Sequence, residues 1–167
     1  VSSSGTTRAE VLKFNVEVKD MNATFNSGSI EITETDTGTG DFTITAGELW
    51  DGSTLLASAA PSSTGATTAD INWSNFSLPI AAGTTKTLSV KLVFSAVDST
   101  YAPAGLDKVQ VTIGPVLSGI DGNSNVVKAE GNTLKSEEFY PFLKAPVFAL
   151  SSASLTASGS TSSKVSD

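Results

Sequence analysis

An all-β chain folded as an antiparallel β-sandwich is what this sequence predicts, and three observations carry the prediction. Apolar residues alternate with polar ones at a period of two, the mark of a strand with one buried face; the cleanest case is Leu12, Phe14, Val16 and Val18 against Lys13, Asn15, Glu17 and Lys19. Turn signals recur about every eight to twelve residues, the spacing of sandwiches and barrels. Ser and Thr abound, there are 14 Gly, and only 16% of residues are charged, which suits strands joined by small-residue turns better than helices.

In chain order, residues 1–9 read as a linker or N-terminal extension, 10–146 as the sandwich, and 147–167 as a C-terminal strand and linker. Glu10 to Asp20 is the first strand. Met21 to Gly28 is expected to turn with Phe25 tucked inward, and Ser29 to Thr35 to form a second strand through Ile30 and Ile32. Phe42, Ile44 and Ala46 mark a third strand. Glu48-Leu49-Trp50 marks a fourth, ending at Asp51-Gly52, a strong hairpin signal between apolar runs, and Leu55 to Ala60 returns.

The stretch Asp70 to Ala96 has the most regular pattern and is expected to be a β-hairpin. Ile71, Trp73, Phe76, Leu78 and Ile80 lie on one arm, Leu88, Val90, Leu92 and Phe94 on the other, with Ala82-Gly83-Thr84-Thr85 turning between them. Pro79 has no N–H to give a ladder, so its arm should be an edge or bulged strand. Lys108 to Gly114 is a further strand, and Leu117 to Ala129 a small hairpin around Asp121-Gly122-Asn123. Only Glu130 to Phe139 has the look of a short helix. Phe139 to Pro146, interrupted by two prolines, should run extended across the body, and Val147 to Ala157 should be one more strand.

Composition narrows the function. With no Cys there is no disulfide or thiolate metal site, and with no His the commonest general base and metal ligand is missing. A net charge of −7 disfavours nucleic acid and anionic membranes, both of which ask for basic surfaces. No apolar run is long enough to insert in a membrane. The start, Val1-Ser2-Ser3-Ser4-Gly5, reads as mature or excised.

Candidate sites are few. Asp121, Asn123 and Asn125 alternate oxygen ligands as a calcium loop does, although Val126 and Asn132 stand where a complete loop would want Gly and Glu; a plain hairpin turn is the competing reading. Asp36 to Asp41 is a second oxygen-rich loop. Trp50, beside Asp51-Gly52, is a candidate for stacking on a glycan ring, whereas Trp73 alternates with Ile71 and belongs in the core. Glu31 and Glu34 fall on opposite strand faces, and Glu137-Glu138 sits in a solvated turn, so neither makes an acid–base pair. No catalytic residue is assigned. Asn22, Asn72 and Asn75 begin N-glycosylation sequons.

Val11-Leu12-Lys13-Phe14-Asn15-Val16, Leu49-Trp50-Asp51-Gly52, Leu78 to Val90 and Pro146-Val147-Phe148 together resemble the Ser/Thr-rich immunoglobulin-like repeats of large surface proteins of uncultivated, small-genome bacteria. The resemblance implies an extracellular, immunoglobulin-like sandwich, repeated or polymerised into a stalk, coat or filament. Ser158 to Asp167 is also similar to Ser4 to Glu10, as at a junction between repeats. The expected function is therefore structural: copies join head to tail, with Val147, Phe148, Leu150 and Leu155 of one unit lying on a sheet edge of the next. A carbohydrate- or calcium-dependent adhesive module is the alternative.

Overall fold

The computed structural model describes residues 6–35, 42–63, 67–95, 108–131 and 134–141. Among these residues, eight strands form two antiparallel sheets: β1 (Thr7–Val18), β6 (Thr84–Ser95), β3 (Thr43–Asp51) and β4 (Thr54–Ala59) in one, in that order across the sheet, and β5 (Thr68–Ile80), β2 (Ala23–Thr35), β7 (Lys108–Asp121) and β8 (Val126–Glu130) in the other. Their inner faces meet in one apolar core. Phe14, Val16, Leu49, Leu88, Val90, Leu92 and Phe94 come from the first sheet, and Phe25, Ile30, Ile32, Ile71, Trp73, Leu78, Ile80, Val109 and Val111 from the second. The all-β expectation and the two antiparallel layers are thus observed.

The expected hairpin between Asp70 and Ala96 is not one. β5 pairs with β2, and β6 pairs with β1 and β3, so the chain crosses from one sheet to the other at Ala81–Gly83. Both layouts require apolar residues at a period of two on each arm, so alternation cannot separate them. What separates them here is that Ile71 packs across the core against Gly47 of β3, in the other sheet, so close that a Cβ on the glycine would stand 2.5 Å from the isoleucine Cδ1. The crossing is tied to the preceding connection: Gly83, at φ 70°, donates its N–H to Val18 O at 2.8 Å, and Asn22 Oδ1 accepts from Ala82 N at 2.9 Å. Pro79 does lie on an edge strand, opposite Thr24.

Pairs β1–β6, β2–β5 and β3–β4 nest within one another like a long hairpin rolled up, and β7–β8 is added beside β2. An immunoglobulin constant domain instead places its first two strands together in one sheet. Here they are in different sheets.

Four local expectations are corrected. The first strand begins at Thr7, not Glu10, pairing Thr7 with Phe94. Met21 to Gly28 is not a turn throughout: β2 starts at Ala23 and holds Phe25 inward. The third and fourth expected strands are one, β3, and Lys108 to Asp121 is one strand through Pro115. Proline is tolerated because the β2 ladder skips from Val116 to Ile113 and β8 pairing begins at Val116, so Gly114-Pro115 forms a bulge.

Glu130 to Phe139 is not helical where it is described. Its backbone completes the outer edge of β7 instead. Gly131 N donates to Pro115 O, Ser136 N to Val111 O, and Phe139 exchanges bonds of 2.8 and 2.9 Å with Val109. Leaving β7's N–H and C=O groups unpaired would cost more than a short isolated helix returns.

Candidate assembly surface

The two long sides of the sandwich differ. On one, Pro61, just past β4, bridges to Ile71 of β5 and closes the seam. On the other, β1 and β8 end their sheets without meeting, and a cavity of about 80 Å³ opens between them. Phe14 and Val16 of β1 form one wall, and Leu117, Ala129, Leu134 and Pro115 the other. Among the described residues, β1 pairs on one side only, with β6. A strand edge beside an apolar slot can take up another strand by main-chain bonding, with side chains filling the slot. The proposed insertion residues Val147, Phe148, Leu150 and Leu155 lie outside the described residues, as does Asp36 to Asp41.

A polar network that the sequence reading did not find occupies the outer face of the first sheet. Glu48 is only 3% exposed although it points away from the core. Arg8 Nε donates to both of its carboxylate oxygens at 3.0 Å, and Trp50 Nε1 donates to Oε2 at 2.9 Å. Lys91 Nζ sits 4.1 Å from the centroid of the Trp50 ring. Arg8 and Trp50 therefore satisfy the carboxylate together, the condition under which a buried charge is tolerable, and Lys91 lies over the Trp50 ring. Trp50 is half-buried with Lys91 over its ring, and Trp73 is a core residue whose Nε1 donates to Gly47 O at 2.8 Å. No sequence period would reveal the network, because Arg8, Glu48 and Lys91 come from three strands.

Asp121, Asn123 and Asn125 do fall in one turn, between β7 and β8. Asp121 Oδ1 accepts the backbone N–H of Asn123 at 2.8 Å and of Asn125 at 2.9 Å, and Oδ2 accepts the Asn125 side-chain amide at 3.0 Å. The Asn125 amide first, then the backbone N–H groups, hold the Asp121 carboxyl below the usual carboxylate range. In this arrangement the carboxylate caps its own turn. Among the described residues, no three acidic groups converge closely enough to hold a metal ion.

Glu31 and Glu138 are spent on structure. Glu31 accepts from Thr112 Oγ1 at 3.0 Å, and Glu138 holds Lys108 and the Tyr140 hydroxyl. Those two contacts, Lys108 first, lower the Glu138 pKa, while Glu138 raises that of Lys108. Asn22, from a sequon, knits the end of the sandwich: besides its bond from Ala82, its carbonyl accepts from Gly122 N at 2.9 Å. No family model, curated protein or solved structure matches this chain.

Proposed function

We propose that the protein is a non-enzymatic structural unit of an extracellular filament or surface array, whose copies join head to tail by strand pairing. Residues from Val147 onward leave their own body and add a strand to a sheet edge of the next copy. The observation that supports this most is the open side of the sandwich, where the β1 edge borders the slot lined by Phe14, Val16, Leu117 and Leu134. An immunoglobulin-like family origin, extracellular location and self-association belong to the same reading. Deleting Val147–Asp167 tests it by electron microscopy and light scattering. The full chain should form long polymers and the truncated chain none; polymers from both would overturn it.

A glycan-binding adhesive module is the second reading, on the strength of the half-exposed Trp50 beside Arg8 and Glu48. A glycan array separates the two, because a structural unit binds none of its sugars, and the Trp50→Ala variant should abolish any signal that does arise.

A further inference from the structure

Resting on strand donation, the structure carries the question further, to which edge accepts the strand, in which direction and from which molecule. We infer that the acceptor is β1, and that the donor is residues 147–157 of a second copy, running antiparallel to β1 and entering from its Val18 end.

The choice of edge follows from the four that end the two sheets among the described residues. β4 has 6 residues and its seam is closed by the Pro61–Ile71 bridge. β8 has only 5. β5 is long but interrupted, because Pro79 lacks an N–H and Asn75 sits at φ 59° in a register shift. β1 spans 12 residues with a single bulge, between Glu10 and Leu12, and of the two edges that border the apolar slot, β1 and β8, it is the long one. The stretch Val147 to Ala157 contains no Pro, no Gly and no charge, so it can pair along its whole length.

Direction separates one's own tail from a neighbour's. Phe139 stacks on Phe94, with centroids 5.4 Å apart, and Phe94 pairs with Thr7, so the described chain leaves the body at the end where β1 begins. A tail laid straight back along its own β1 would run parallel to it. Every pairing among the described strands is antiparallel, the arrangement with the more favourable hydrogen bonds. A tail arriving from a copy stacked beyond the Val18 end runs antiparallel without reversing.

The side chains fit one register. With Phe148 beside Val16, Leu150 falls beside Phe14, both on the slot side. Leu155 then falls beside Ala9. Leu155 is out of step with Phe148 and Leu150 in a strict alternation. The inward positions of β1 change step in the same place, from Leu12 to Ala9 across the bulge, since Leu12 pairs with Val90 and Ala9 with Leu92, both fully buried. In this register Ala149 meets Asn15 on the exposed face.

Because the chain has no Cys, engineered disulfides give a clean readout. The full-length Asn15→Cys and Ala149→Cys variants are mixed and oxidised, and a second pair, Glu17→Cys with Val147→Cys, repeats the test should the first perturb folding. The expected product is a disulfide-linked dimer of one chain of each kind, and a ladder of covalent oligomers from the chain carrying both changes. An internal disulfide in a chain that stays monomeric would show that β1 is covered by its own tail and overturn the inference. No disulfide in either pair would overturn it as well. If deletion of 147–167 abolishes polymers while neither pair links, strand donation stands and β1 as its acceptor fails; if deletion leaves polymers intact, the parent reading fails first.

Discussion

Individual residues here act mostly by fitting between backbones. Gly119 of β7 lies so close to β2 that a Cβ would stand 2.1 Å from Thr24 O and 2.6 Å from the Phe25 Cα. Those atoms are backbone and cannot swing aside. Gly119→Ala should therefore destabilise by about 3 kcal/mol, the upper end for overpacking, whereas Gly122→Ala, whose nearest atom is 4.0 Å away, should change stability by less than about 0.5 kcal/mol; urea unfolding of both measures the contrast. In the same turn, Asp121 titrates below a free aspartate because its partners favour the charged form. A lowered folded-state pKa means the contribution to stability is present above the unfolded value, near about 3.9, and is lost as pH falls through the folded value. Carbon-detected NMR should find the Asp121 carboxyl still charged at a pH where a free aspartate side chain is half protonated. Asn125→Ala removes the strongest of those partners, so the midpoint should move back up towards the ordinary range; an unchanged midpoint would mean the turn does not set it.

The connection between β5 and β6 is where element-level reasoning is tested most directly. Pro79 lies opposite Thr24 across the β2–β5 ladder, while a hairpin turning at Ala81–Gly83 would have put it opposite Thr85. Cross-strand neighbours have Cβ atoms about 4.5–5.5 Å apart, near disulfide reach. Oxidation should therefore join the Thr24→Cys, Pro79→Cys pair and leave the Pro79→Cys, Thr85→Cys pair reduced, as read by mass spectrometry. Alternation made nearly every strand legible, since Leu12 to Val18 or Ile71 to Ile80 can bury one face in only one way. It also placed Trp73 in the core, while the missing N–H of Pro79 placed its strand at an edge. Partner choice was not legible, because it depends on which chain segments meet across the core: Ile71 over Gly47, for instance, where a Cβ on the glycine would come within 2.5 Å of the isoleucine Cδ1. The helix expected after Glu130 failed for a related reason, as the demand of β7 for edge partners outweighs a weak local preference. At the candidate sites, the Asp121 turn was visible because its ligands are contiguous. The Glu48 network and the slot were not, each being assembled from separated strands.

At the scale of the molecule, the two ends of the sandwich are built differently. One end carries the tight connections at Asp20–Asn22, Ala81–Gly83 and Asp121–Asn125, joined through Asn22. At the other end lie the start of β1, the end of β6 and the departure of the chain past Phe139. Entry and exit on the same end do not suit bodies threaded one after another like beads, but they do suit an arm that leaves one body and lies along the next. The strand it would cover is about 40 Å long at ~3.3 Å per residue. In the proposed joint, residues 142–146 would be the spacer between the body and the pairing segment, and their length would set how far apart successive bodies stand. Removing Lys144 and Ala145 should shorten the axial repeat of the polymer by about 7 Å, because an extended chain spans about 3.3–3.6 Å per residue. A repeat that stays fixed after the deletion would mean that body-to-body contact, and not the arm, spaces the copies, and it would move the joint from the β1 edge to the end faces around Asn22.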